Sequence, residues 1–166
     1  MYQSIKDLVR TAEIQQKALS ELVIEAECHE SGLKREEVWQ RMRANLLTMR
    51  AAIKQGENEL GVRSKTGLTG GEAIKLKKYR AKGKTLSGDI MMAAVENAIA
   101  TNEVNAAMGV ICATPTAGSS GTLPGALFML EQRLGLSEDQ MISFLFTAGG
   151  LGLIIANHAG IAGAIG

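Results

Sequence analysis

From Gln140 to Gly166 the chain carries no Asp, Glu, Lys or Arg. So long an uncharged run has to be covered, by lipid or by the rest of a packed core. Asn157 and His158 interrupt it, and glycines at 149, 150, 152, 160, 163 and 166 weaken a lone lipid-facing helix. With no cationic anchor following, the run reads as a buried helix of a protein core and not as a membrane span. The remainder supplies a polar complement. Residues 1–84 hold 17 basic groups against 11 acidic ones, a net of +6, whereas residues 85–166 hold one against six, a net of −5. The chain therefore divides into an amphipathic front, residues 1–56, and a glycine-rich, motif-bearing rear, residues 57–166. Both belong to one domain of 166 residues.

Aromatic residues make up only 4%, and Ala, Leu and Met are abundant, which predicts an all-α fold. The overall charge of +1 excludes a globally basic nucleic-acid binder. Two cysteines without a pairing pattern, and no signal peptide, exclude a disulfide-stapled secreted domain and point to the cytoplasm. Ser4 and Asp7 predict the cap of a helix near 4–28, with Ile5, Leu8, Ala12, Ala18, Leu22 and Ala26 on its apolar face. After a break at Ser31-Gly32, a second helix near 34–55 carries the stripe Val38, Met42, Leu46, Met49 and Ile53, and Gly56 closes it. Cys28 and His29, at the frayed end of the first helix, read as structural or incidental.

Chemistry enters at Arg63-Ser64-Lys65-Thr66-Gly67-Leu68-Thr69-Gly70-Gly71. Hydroxyls among glycines let backbone amides converge on an anion, with Lys65 adding a point charge, although a plain surface loop has the same composition. The spacing is not that of a Walker loop. The basic run Lys75, Lys77, Lys78, Arg80, Lys82, Lys84 reads as a solvated helix face or subunit contact. An RNA surface is the alternative, with only Tyr79 available for stacking. Ser87-Gly88-Asp89 opens a helix through Ile90, Met91, Val95, Ala98 and Ile99, beyond which Asn102 and Asn105 share a face and need polar partners. In the stretch from Cys112 to Gly125, Pro115 stops the preceding helix and Pro124 occupies the first turn of the next, which Gly135 ends. Between the prolines lie hydroxyls and glycines aimed at a helix N-terminus, beside the thiol of Cys112. Ser137 and Gln140 form a capping box for a last helix from Met141 to about Ile155.

Segments 64–71, 102–109, 112–125 and 157–166 together resemble the catalytic α chain of the iron–sulfur-dependent L-serine dehydratases, the run from Cys112 to Gly125 being the most specific. The resemblance implies a helical catalytic domain, an oxygen-sensitive [4Fe–4S] cluster, conversion of L-serine to pyruvate and ammonia, a separate β chain and an oligomer. Under it, Ser64, Thr66, Gly67, Thr69 and Gly70 of the first loop would hold the substrate. Thr114, Thr116, Gly118, Ser119 and Ser120 of the second would share that task. Asn102 or Asn105 would orient the ammonium, with Asn157 also in the pocket. Lys65 and His158 are the candidate catalytic groups, and Cys112 the candidate cluster ligand. Family α chains continue beyond the Asn-His-Ala-Gly stretch with further cysteines, so residues 1–166 correspond to roughly the first half and are expected to be inactive alone. Pyridoxal phosphate on Lys65 would suit the same reaction but needs a βα pattern that this sequence lacks. The reading therefore includes no pyridoxal phosphate, no nucleic acid and no membrane.

Overall fold

The computed structural model describes residues 2–114 and 118–159. Seven helices occur among them: α1 (Ile5–Gln15), α2 (Leu19–Ser31), α3 (Arg35–Gly56), α4 (Glu72–Arg80), α5 (Gly88–Ala106), α6 (Ser119–Leu134) and α7 (Glu138–His158). No strand occurs among the described residues, only an isolated bridge between Arg63 and Gly70. The all-α expectation from composition holds.

Several boundaries follow their caps. Ser4 Oγ accepts from the Asp7 amide at 3.1 Å, and Ser137 and Gln140 form the reciprocal capping box of α7. Gly135 ends α6 in the left-handed conformation, φ 66°. Others differ. The helix expected near 4–28 is two helices, because Gln16 adopts φ 52° and turns the chain before Leu19. Nothing in the local sequence marks that break, since Gln rarely takes this conformation. Gly56 is the last residue of α3 but acts by closeness: a Cβ there would fall on the Ala100 carbonyl. Helix α5 ends at Ala106, well before Pro115, which lies outside the described residues. Its terminator is Met108 at φ 65°, with the Gly109 amide donating to the Val104 carbonyl at 2.8 Å. Pro124 sits in the second turn of α6, not the first, because the helix already begins at Ser119. The helix forgoes the bond that a residue-124 amide would make.

The described residues pack as two compact units. The first comprises residues up to Leu46 together with those from Ser137, and the second runs from Leu47 to Leu136, so the division falls inside α3. In the first unit Leu8, Leu22 and Ile154 form a buried cluster, with Tyr2, Ala12, Leu19 and Leu151 against it. Trp39 and Phe146 lie with ring centroids 6.0 Å apart, and Arg43 Nε meets Glu138 Oε1 at 2.6 Å. Among the described residues α7 is the one helix of sufficient length and apolarity to cross a membrane. Met141, Ile142, Leu145, Phe146 and Ile154 on it are buried in the protein.

The second unit is organised around α5. Its buried face is not the expected one: Ile90, Met91 and Val95 are exposed, whereas Ala93, Glu96, Asn97, Ala100, Thr101, Glu103 and Val104 are buried. The reason is steric. Gly121 and Gly125 of α6 lie against Ala94, Ala98 and Asn102, so closely that a Cβ on Gly125 would stand 2.6 Å from the Ala94 carbonyl oxygen. Only small residues allow two backbones to approach so closely, and the large apolar ones turn outward. Arg50 grips Glu131 with both nitrogens, at 2.6 and 2.9 Å, and lies 4.7 Å over the Phe128 ring. Gly125→Ala should lower stability by about 1–2 kcal/mol, overpacking outweighing the gain in helix propensity. Gly149→Ala, where nothing lies within 4 Å, should raise it by about 0.5–1 kcal/mol. Thermal unfolding of both variants checks this, and equal shifts in one direction would contradict the close approach of α5 and α6.

Candidate functional site

Two hydroxyl- and glycine-rich segments of the second unit are anchored at the C-terminal end of α5. The first, residues 62–71, is a closed turn. The Ser64 amide donates to the Thr69 carbonyl at 2.9 Å and the Gly67 amide to the Ser64 carbonyl at 2.9 Å. The Thr69 amide donates to Ser64 Oγ at 3.2 Å, and that hydroxyl also meets Thr66 Oγ1 at 3.2 Å. Gly70 closes the turn at φ 126°, and a Cβ there would strike the Val62 carbonyl. Its amide donates to Glu72 Oε2 at 2.8 Å. Four amides of the expected anion cradle are thus used within the loop and its flank. Those of Lys65, Thr66 and Leu68 take no part in this closure, and Lys65 itself is exposed.

The second segment follows α5 and leads into α6. Cys112 is half-buried, and burial pushes its thiol above the ordinary value, against a hydrogen bond with the Met49 backbone that lowers it. Thr114 Oγ1 and Ser119 Oγ lie 2.6 Å apart, Ser120 is buried, and Gly118 precedes the first turn of α6. Thr116 lies outside the described residues. Asn102 packs its amide onto Gly121, where a Cβ would come within 2.7 Å of Oδ1. Asn105 is exposed beyond it.

Asn157 and His158 belong to the first unit, in the last turn of α7. His158 Nδ1 lies 2.8 Å from the Ile154 carbonyl. A carbonyl only accepts, so Nδ1 carries the hydrogen and Nε2 is left as the basic nitrogen. The end of the Asn-His-Ala-Gly stretch, from Gly160, lies outside the described residues. Of the basic run, Lys77 pairs with Glu57 at 2.7 Å, and Arg80 with Glu96 at 2.7 Å and Asp89 at 3.0 Å. These contacts tie α4 to its own unit.

Glu103 has no place in the motif reading and is central in the structure. Its carboxyl, 5% exposed, caps a different helix: Oε1 accepts from the amides of Glu72 and Ala73 at 2.5 and 3.2 Å, the first turn of α4. An available signal was its position, since an acid near the C-terminal end of a helix opposes the macrodipole and needs another reason to be there. The other oxygen, Oε2, is buried without a donor. Burial first, and the neighbouring Glu72 second, push the Glu103 carboxyl above the ordinary carboxylate range. Glu72 moves down, chiefly through its hydrogen bond with Glu103.

Fold and site define an all-helical subunit that gathers two hydroxyl-rich turns beside the end of one buried helix. A model described as the serine dehydratase alpha chain matches residues 14–166, and the chain belongs to that family. It is 48% identical over 166 residues to a probable L-serine dehydratase, alpha chain, of Bacillus subtilis, covering all of this chain and 55% of that one. Over 78 residues it is 63% identical to a probable L-serine dehydratase, alpha chain, of Latilactobacillus sakei, 47% of this chain and 37% of that one. The L-serine dehydratase, alpha chain, of Peptoniphilus asaccharolyticus is 32% identical over 146 residues, 88% of this chain and 50% of the relative. The chain thus spans about half the length of the relatives it matches. No solved structure matches it.

The Glu103 and Glu72 shifts have opposite consequences for stability. The raised Glu103 value contributes stability that is complete below the ordinary carboxylate range and is lost as pH rises through the folded value. The lowered Glu72 value contributes stability that is present above that range and is lost as pH falls through its folded value. Glu103→Gln fixes the neutral form at residue 103. Its melting temperature relative to wild type should therefore climb as pH rises above the ordinary carboxylate range. A flat or falling difference would show that Glu103 folds as an anion.

Proposed function

We propose that this chain contributes the substrate-carboxylate pocket of an L-serine dehydratase, which converts L-serine to pyruvate and ammonia together with a separate β chain. The observation that carries this reading is the anchoring of the two motif loops on consecutive residues of α5: Asn102 against Gly121, and Glu103 on the amides of Glu72 and Ala73. Neighbouring helical residues project about 100° apart, so the loops flank one helix end. The names of the relatives, L-serine dehydratase alpha chains, supply the substrate and the partner.

Removing water from serine requires loss of the Cα proton and of the β-hydroxyl, leaving aminoacrylate, which hydrolyses to pyruvate and ammonia. The substrate carboxylate is best held by groups that stay fixed. Ser64, Thr66 and Thr69 on one side, with the Gly67 and Gly70 turn shaping them, and Thr114, Ser119 and Ser120 to either side of Gly118 on the other, offer hydroxyl donors, and the family resemblance adds Thr116. Lys65 adds positive charge at the loop apex. Asn102 and Asn105 extend the α5 end toward the ammonium group. Lys65 is the candidate of this unit for proton transfer; His158, the other candidate, lies with Asn157 on α7 in the first unit.

The cluster is a separate matter. Among the described residues no three of His, Cys, Asp and Glu are grouped to hold a metal, and the chain has two cysteines. A [4Fe–4S] cluster needs more thiolates than these residues supply. Cys112 offers at most one ligand, its raised thiol pKa requiring the metal to displace a proton, and Cys28 sits in the other unit. The reading places the protein in the cytoplasm, as an oligomer, with no pyridoxal phosphate, nucleic acid or membrane.

In the complete, anaerobically prepared α and β protein, Cys112→Ser should lower bound iron and L-serine turnover together, by at least about tenfold in turnover. Ser119→Ala or Thr116→Ala should raise KM for L-serine about five- to tenfold with kcat little changed, the loss of one hydrogen bond to a charged group. Unaltered iron and turnover in the first would remove Cys112 from the ligand set. An unaltered KM in the second would make the loop structural only.

A further inference from the structure

Glu103 joins the two helices that carry the candidate loops. It lies on α5, one residue after Asn102, and its carboxyl holds the first turn of α4 through the amides of Glu72 and Ala73. Glu72 in turn holds the amide of Gly70 at 2.8 Å. Gly70 faces Arg63 across the only backbone bridge among the described residues, and the closed turn between them presents Ser64, Lys65, Thr66 and Thr69. The path from α5 to the loop is therefore continuous: Glu103, Glu72, Gly70, and then the Ser64–Thr69 closure.

We propose that Glu103 is a positioning residue for the substrate loop: its Oε1 caps the first turn of α4 through the Glu72 and Ala73 amides, so that Glu72, Gly70 and the turn Gly70 closes are held in the binding geometry. The proposal rests on the serine-binding reading of that loop. Oε1 accepts two amides, whereas Oε2 is buried without a hydrogen-bond partner. Two neighbouring carboxylates repel, which favours one proton on the pair. Glu103 is buried and Glu72 is exposed, so the proton belongs on Glu103 and the charge on Glu72, where water reaches it. The charge then faces the Gly70 amide and the N-terminal turn of α4, both favourable to an anion.

The groups around this pair fit the assignment. On α4, Lys75 lies one turn on from Glu72 and favours its charge. On α5, Glu96 is taken by Arg80 at 2.7 Å and so does not compete. Thr101 bonds the Asn97 carbonyl at 3.0 Å within its own helix. Glu103 touches no substrate in this scheme; it acts through Glu72 and Gly70.

The test compares Glu103→Ala, Glu103→Gln and Glu72→Ala in the complete α and β protein, by amide hydrogen exchange and by steady-state kinetics with L-serine. Gln reproduces the neutral acid and keeps a carbonyl for the two amides. Glu103→Ala should speed exchange at Ser64, Gly70, Glu72 and Ala73 about tenfold or more and raise KM about tenfold, with kcat and iron content within about twofold. Glu103→Gln should stay close to wild type in both. Glu72→Ala, at an exposed site, should loosen Gly70 and Ser64 while leaving Ala73 protected. This last variant answers the question even where Glu103→Ala does not fold. Unchanged loop exchange in Glu72→Ala, or a Gln variant as loose as the Ala one, would overturn the proposal. Exchange reports positioning whatever the substrate is. A wild-type protein that ignores L-serine while Glu72→Ala loosens the loop as described would therefore refute the serine reading and uphold the positioning role of Glu103.

Discussion

The second unit depends on how closely α5 can be approached. Its buried face is built of Ala93, Ala100 and Val104 together with the polar Glu96, Asn97, Thr101 and Glu103, and α6 answers with Gly121 and Gly125. This contact lets Asn102 rest directly on Gly121 and sets the start of α6 beside the end of α5. On another side of the same helix, Glu103 holds the start of α4. Both segments thereby acquire fixed ends from one rigid element.

Much of the helical order was legible because capping chemistry is local. Ser4 with Asp7, Ser137 with Gln140 and Gly135 each act within one turn, and each marks its boundary correctly. The stripe on α3 holds as well, with Val38, Leu46, Met49 and Ile53 buried. What escaped was set by contacts distant in sequence. The left-handed turns at Gln16 and Met108 use residues with no glycine signature. The inward face of α5 follows from glycines on α6, so a hydrophobic pattern alone selected Ile90, Met91 and Val95, which are exposed.

The candidate site divides along the same line. Composition and motif singled out the loops at Ser64 to Gly71 and Cys112 to Gly125, because hydroxyls among glycines are a local signature. The motif did not reveal that four loop amides are already engaged, or that Glu103 fastens the first loop, since both depend on tertiary geometry. Cys112, half-buried with a raised thiol pKa, has the character of a protected thiol.

The central claim is that both loops at the end of α5 grip the same small carboxylate. It is tested most directly by a crystal structure of the complete α chain with its β chain, prepared without air and soaked in L-serine. The account predicts the serine carboxylate within hydrogen-bond distance of side chains from both the 64–70 and the 114–120 segments. A serine held by one segment alone, or bound away from α5, would contradict it.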